Sequence, residues 1–406
     1  MTVAQVEIFG PVLVGSTFRT PAEAVELANN TPYGLAASVW TENVNLALDI
    51  APKLKAGVVW TNCTNQFDAA AGFGGYRESG FGREGGREGM LEYLKPSWER
   101  GLPLYEVQSS TGSLEQEREP AFDLPAIDRT PKLYIGGKQA RPDSGYSLPV
   151  YNAKGALAGE VGEGNRKDVR NAVEAAQKAS GWTNMAAHAR AQVLYYLAEN
   201  LSARAREFAE RLEELTGVSR QDAETEVEAS VERLFTYAAY ADKYDGAVHG
   251  VPARNVTLAM NEPLGVIGVV CPDDAPLLSL VSLVAPCVAM GNRVVALPSE
   301  RYPLVATDLY GVLDTSDVPG GVINLVTGPR ESLAKTLAQH DDVDGVWYVG
   351  SAQGSAVVER ESAGNLKRTW VNYGKRRDWF SAEQGQGREY LWRAVQVKNI
   401  WVPYGE

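Results

Sequence analysis

The chain has 406 residues, room for two or three domains, and its 44% apolar and 22% charged residues match a globular protein. A formal charge of −12 argues against nucleic-acid binding, which needs Lys and Arg clustered against phosphates. Three scattered cysteines make neither a disulfide framework nor a zinc site, so no metal is expected and a reducing, cytoplasmic compartment fits. Residues 1–20 lack a basic start followed by an apolar run, so no leader and no membrane partner are expected.

Four blocks punctuate residues 1–95: Glu7-Ile8-Phe9-Gly10-Pro11-Val12, Asn29-Asn30-Thr31-Pro32-Tyr33-Gly34-Leu35, Gly57-Val58-Val59-Trp60-Thr61-Asn62-Cys63, and Gly72-Phe73-Gly74-Gly75-Tyr76-Arg77-Glu78-Ser79-Gly80. The run Gly82-Arg83-Glu84-Gly85-Gly86 closes them. From Gly101 to Thr130 the composition turns polar and small, with Pro103, Pro120 and Pro125 breaking any helix. That stretch reads as a surface connector. Leu133 to Lys138 reads as a strand and turn. Residues 166–180, 186–216 and 219–243 have helical spacing, the last with Val227, Val231, Leu234 and Ala238 on one core-facing stripe.

An alternation of short apolar strands and helices follows. Strands are expected at Gly265–Val270, Arg293–Leu297, Val322–Val326 and Gly345–Val349; helices at Pro276–Met290, 303–314 and 331–340. Unbroken apolar strands separated by helices predict a parallel sheet covered on both faces. The helix from Pro276 to Met290 is too short to span a bilayer. Asp341-Asp342-Val343-Asp344 reads as a polar turn before a buried strand. A Gly/Gln-rich turn, a helix at 389–394 and a closing strand at 395–404 complete the pattern.

The four amino-terminal blocks resemble, in order and spacing, the carboxyl end of an aldehyde dehydrogenase. Residues 131–375 resemble the beginning of another. The order is inverted, and the reactive thiol of that family lies between the two stretches, so neither copy contains it. The resemblance covers nearly the whole chain and is closest to the carboxyl half of the two-domain, family 16 type. It implies an α/β fold: a doubly wound Rossmann-type parallel sheet, the end of a catalytic α/β domain, and an oligomerisation-type strand tail. The boundaries expected are a catalytic-domain end over 1–100, a connector over 101–130, a degenerate Rossmann-type domain over 131–385, and helix plus strand over 386–406. Met1 falls where the family is in mid-domain, so a piece of a longer protein is expected.

The resemblance also implies roles. Glu7 accepts hydrogen bonds from the nicotinamide ribose hydroxyls, and Phe9 lies against the nicotinamide edge. Phe67 and Phe73 wall the aldehyde tunnel, excluding water from a thioester. Glu300 grips the adenosine ribose, and Ser351, in Tyr348-Val349-Gly350-Ser351, faces phosphate. NAD is the implied cofactor. Without the resemblance, Glu7 reads as a strand cap and the two Phe residues as core.

Departures from the family pattern matter equally. Asp274 stands where the family has an oxyanion-stabilising Asn, and a carboxylate repels a developing oxyanion. Leu297 replaces a Lys beside Glu300. Asn372 aligns with the general base and accepts no proton at neutral pH. Cys63 reads as inert, Cys271 and Cys287 as buried small residues, and His188, His249 and His340 form no motif. No catalytic residue is therefore expected on this chain.

The leading expectation is part of an NAD-dependent aldehyde dehydrogenase that oxidises aldehydes to carboxylic acids when intact. The second unit is expected to serve assembly, through a homo-oligomer or a pseudo-dimer built with the 395–404 strand. Two rivals stand: a pseudoenzyme scaffold or interaction protein, and a second unit that still binds a dinucleotide as a sensor.

Overall fold

The computed structural model of the chain describes residues 2–105 and 130–404. Most of the connector expected over 101–130 lies outside the described residues. In the amino-terminal segment the strands are β1 (Tyr33–Gly34), β2 (Ala36–Val39), β3 (Val58–Thr61) and β4 (Tyr76–Arg77). They alternate with helices α1 (Pro21–Asn29), α2 (Val44–Ile50) and α3 (Gly86–Leu91). The Thr20 hydroxyl caps α1 by accepting from Glu23 N–H, and Asn43 caps α2 by accepting from Asn45 and Leu46 N–H. The glycine-rich blocks have a steric cause: a Cβ on Gly57 would lie 1.8 Å from the Gly74 carbonyl oxygen.

The carboxyl-terminal segment opens with β5 (Leu133–Tyr134), β6 (Gln139–Ala140) and the hairpin β7 (Ser147–Tyr151)–β8 (Leu157–Gly162). Five helices follow: α4 (Arg166–Lys178), α5 (Gly181–Asn184), α6 (Ala187–Ala203), α7 (Ala205–Thr216) and α8 (Arg220–Tyr240). The single helix expected over 186–216 is broken at Arg204 (φ −106°, ψ 12°). The Arg204 side chain reaches forward to the Glu207 carboxylate at 2.7 Å. After the break Phe208, Leu212 and Leu215 enter the core. Beyond β9 (Ala247–His249) and β10 (Asn255–Pro263) come β11 (Val266–Val270), α9 (Pro276–Ala289) and β12 (Arg293–Leu297). Then come α10 (Pro303–Asp308), α11 (Tyr310–Asp314), β13 (Ile323–Leu325), α12 (Arg330–Gln339), β14 (Gly345–Tyr348), α13 (Ala352–Glu361), β15 (Arg368–Val371), α14 (Arg388–Arg393) and β16 (Val395–Pro403).

Seven strands form one sheet in the order β15-β14-β11-β12-β13-β5-β6, parallel from β15 to β13, with β5 and β6 antiparallel at one edge. Successive side chains of one strand feed opposite cores: Ile267 and Val269 pack with α6, α8 and α9 residues, while Val266 and Val270 pack with α4 and α12 residues. A strand buried on both faces must be apolar at every position, which is the unbroken run seen in the sequence. No helix among the described residues is long and apolar enough to cross a membrane.

A second sheet joins the two segments, in the order β2-β3-β16-β10-β9. β16 runs antiparallel to β10 from Asn255↔Pro403 to Pro263↔Val395, and parallel to β3 through Asn399↔Val58, Ile400↔Val59 and Trp401↔Trp60. The strand expected to reach a neighbouring subunit is thus paired on both edges within its own chain. The β10 edge is paired along the whole strand, and the β3 edge from Asn399 to Trp401. Beside the sheet, fully buried Lys398 donates to the Pro52 carbonyl (2.6 Å) and to the Glu262 carboxylate (2.7 Å), which also accepts from the Tyr76 hydroxyl (2.9 Å). Arg83 donates to the Val397 carbonyl at 3.1 Å. A second clasp holds Arg377 over the rings of Trp98 (4.9 Å) and Trp370 (4.8 Å), with Glu389 at 3.3 Å and Glu99 at 3.8 Å.

One helix end yields a pH prediction. α9 starts at Ala275 (φ 43°), which has no capping side chain. Buried Glu226 on α8 replaces a cap, accepting from Leu277 and Leu278 N–H at 2.9 and 3.2 Å. Burial pushes its carboxyl up from 4.5 to about 7, against the pull of those two hydrogen bonds. The folded state therefore holds a proton that the unfolded chain releases. Stability from this group is complete below pH 4.5, falls as pH rises to about 7, and is level above. The difference is about 3 kcal/mol. Glu226→Gln is expected to flatten this slope and to exceed the parent in stability at pH 8; urea midpoints at pH 5 and 8 that fall in parallel would count against it.

Candidate functional site

Glu7 and Phe9 lie on an irregular, exposed stretch before α1; Phe9 is 93% exposed with φ 52°. Leu13 (96% exposed), Phe18 and Trp40 are exposed too. Phe67 and Phe73 do come together, rings edge-on at 5.0 Å. Trp60, a residue that the sequence motifs do not single out, completes the wall at 5.7 Å from Phe67. The signal for it was present: alternation along β3 sends Trp60 and Val58 to one face, with Val59 on the other. Cys63 packs near this wall, and burial pushes its thiol up, the opposite of what a nucleophile needs. Cys271 and Cys287 are buried, with thiols pushed up by burial.

The positions expected to hold a dinucleotide in the carboxyl-terminal segment cluster at the carboxyl ends of β11, β12 and β14. Arg330 organises them. It lies 3.3 Å from Asp273, 3.9 Å from Glu300, and donates to the Cys271 carbonyl at 3.3 Å. Burial pushes the Glu300 carboxyl up, and Arg330 pulls it back. Ser351 caps α13 by accepting from Gly354 N–H at 2.9 Å, so its hydroxyl is committed to its own helix. Tyr348 folds over that turn: its hydroxyl donates to Glu331 at 2.6 Å and accepts from Ser351 N–H at 3.3 Å. The fit is close enough that a Cβ on Gly354 would sit 1.9 Å from the Tyr348 hydroxyl oxygen and 2.7 Å from Glu331 Oε2. Ser351, expected to face phosphate, thus turns its N–H to a phenol backed by a carboxylate, and a phosphate there would meet like charge.

The residues that depart from the family pattern have structural partners. The Asp274 carboxylate accepts from Arg376 Nε at 2.9 Å. Asn372 staples a turn, accepting from Gly350 N–H and donating to the Lys375 carbonyl, each at 2.9 Å. The start of the connector lies along this turn: Tyr105 N–H donates to the Gly374 carbonyl and Pro103 accepts from Arg376 N–H, both at 2.7 Å. Among the described residues no hydrogen bond, ion pair or ring contact joins Glu7, Phe9, Phe67 or Phe73 to Glu300 or Ser351. The two groups belong to separate places.

The family model described as "Aldehyde dehydrogenase family" matches residues 1–98 and 141–380. Aldehyde dehydrogenase, cytosolic 1 of Elephantulus edwardii is 32% identical over 266 residues, covering 62% of this chain and 53% of that protein. Human retinal dehydrogenase 2 is 32% identical over 251 residues, covering 60% of this chain and 48% of its own length. The chain spans about half the length of these curated relatives. Among solved structures, an aldehyde dehydrogenase from Bacillus cereus in complex with NAD+ superposes with a TM-score of 0.58 at 26% identity, covering 60% of this chain and 50% of that one.

Proposed function

The chain belongs to the aldehyde dehydrogenase family, and from that premise we propose that it is the carboxyl-terminal part of a two-unit, NAD-dependent enzyme oxidising aldehydes to carboxylic acids. The observation that supports this reading is the wall of Trp60, Phe67 and Phe73, in which Trp60 is buried and Phe67 is open to solvent, with the thiol of nearby Cys63 pushed up by burial. In this proposal residues 1–100 close an active site whose thiol stands on a lobe the chain lacks. That lobe covers Phe9, Leu13, Phe18 and Trp40. NAD supplies the hydride acceptor. Glu7 holds the nicotinamide ribose, Phe9 limits the swing of the ring, and the aromatic wall excludes water around the aldehyde carbon.

Residues 131–385 have no catalytic part in this proposal, and residues 386–406 hold the two units together as a pseudo-dimer. The residues at the α13 turn do not fit NAD: Tyr348 and Glu331 fill the notch, and Leu297 offers no cation. In this proposal Glu300 and Ser351 are structural, a reading that the filled notch supports over a dinucleotide sensor. A relative named cytosolic and three free cysteines support a cytoplasmic setting.

The test is aldehyde-dependent NADH formation by this chain, alone and mixed with a polypeptide that covers the missing lobe. Activity is expected only in the mixture, with Glu7→Gln lowering kcat tenfold or more. Activity from the chain alone overturns the reading. Silence from a mixture shown to associate favours the second reading, a scaffold, which the filled notch at α13 already supports for the carboxyl-terminal segment.

A further inference from the structure

The two segments meet around a cavity of about 550 Å³ lined by α3, the 243–247 loop and α14. Leu91, Leu94 and Trp392 make an apolar wall, and Arg87, Lys95 and Arg388 stand at its rim. A side chamber of about 20 Å³ shares Glu88, Trp392 and Val397 with it and adds Arg83, Arg368 and the carboxylate of Glu92, which acts on both guanidiniums. That chamber has room for about one water-sized group.

The charges here are unbalanced. Five cationic side chains line the main cavity against the carboxylates of Glu88, Asp245 and Glu389. Glu389 is already shared between Arg377 and Arg393, and Lys243 is held by Asp242. Among the described residues Arg87, Arg388 and Arg368 have no ion-pair partner. Arg368 donates to the Val395 carbonyl at 2.7 Å and lies 4.8 Å over the Trp392 ring. Arg83, only 9% exposed, has an Nε–H with no acceptor, and so does Arg393, while Glu88 Oε2 and Glu389 Oε1 are likewise without a donor. Buried donors without partners are rare and mark places where a further acceptor fits.

Electrostatics agrees with geometry. Burial, then the like charge of Arg393, holds the Arg368 guanidinium down to about 9. Arg87, Arg388 and Arg368 all act on the Tyr244 phenol that faces the cavity, where burial pushes it up and they pull it down. On a chain of net charge −12, this is a local excess of guanidinium in a concave, partly dehydrated place, where it attracts anions most strongly.

We propose that this cavity binds a small organic carboxylate, its anionic end between Arg87 and Arg388 with Arg368 behind, and its apolar body against Leu91, Leu94 and Trp392. The ligand bridges the two segments, because Arg87 belongs to one and Arg388 and Trp392 to the other. A free phosphate offers the charge but nothing for the apolar wall. The binding does not depend on whether the chain takes part in aldehyde oxidation.

Calorimetric titration of the whole chain at constant ionic strength tests this, with benzoate, its neutral isostere benzamide, and inorganic phosphate. Saturable binding of benzoate is expected, at least tenfold tighter than either of the others. Arg87→Gln with Arg388→Gln, both at exposed positions, is expected to weaken benzoate at least tenfold while leaving the thermal unfolding of the free chain unchanged. No saturable binding overturns the proposal. So does benzamide binding as tightly as benzoate, phosphate binding as tightly as benzoate, or an unchanged affinity in the folded double variant.

Discussion

Lys398→Met is expected to destabilise the chain by about 3–5 kcal/mol, the usual cost of removing one partner from a buried ion pair. The Lys398 ammonium is fully buried, and burial lowers its titration while Glu262 opposes that shift. Methionine keeps most of the volume, so the loss comes from stranding the Glu262 carboxylate and the Pro52 carbonyl. Pro52 belongs to the amino-terminal segment and Glu262 to β10, so the loss falls on the junction. Adding Glu262→Gln to Lys398→Met removes the stranded charge and is expected to recover at least half of the deficit, because the neutral amide still accepts from the Tyr76 hydroxyl. Chemical unfolding of parent, single and double variants decides it. A single variant within 1 kcal/mol of the parent, or a double variant no better than the single, would show that the pair does not hold the segments together.

Arg377→Met is expected to have a loss of similar size, about 3–5 kcal/mol, for a related reason. The Arg377 guanidinium is buried between two indole rings and neutralises Glu389 and Glu99. Its removal leaves Glu389 with Arg393 of the same helix, at 3.9 Å, and takes from Glu99 the guanidinium at 3.8 Å. Trp98 lies just before the connector, so its release is expected to precede global unfolding. Arg377→Lys is expected to recover little, since a compact ammonium cannot stack flat between two rings. Tryptophan fluorescence during urea unfolding gives the readout. An unchanged emission and midpoint in Arg377→Met would mean that Trp98 is held by other contacts.

Much of the carboxyl-terminal segment was legible because its signals are local. Val266 to Val270, Val294 to Leu297 and Val346 to Tyr348 form strands where apolar runs are expected, and α4, α8, α9 and α12 fall within a few residues of their expected ends. Elsewhere local patterns misled. Helical spacing across Arg204 does not show that its side chain bonds forward to Glu207 and bends the chain there. Nor does the spacing in α8 show that Glu226 caps a helix about fifty residues later. In the site, the pairing of Phe67 with Phe73 was legible from the resemblance, while the third ring, Trp60, was not singled out.

The sequence by itself determined the strand and helix alternation, which follows from residue type and short-range order, and its motifs carried the resemblance to the family and the pairing of Phe67 with Phe73. Only the tertiary structure decided that β16 is spent on β3 and β10 of its own chain, because strand pairing depends on which edge is free and near. It also decided that Ser351 caps its own helix beneath Tyr348 and Glu331, although the Gly-Ser pair is intact in the sequence. Whether a glycine turn offers its N–H groups to a ligand depends on what folds over it, and here the covering groups come from the end of β14 and the first turn of α12.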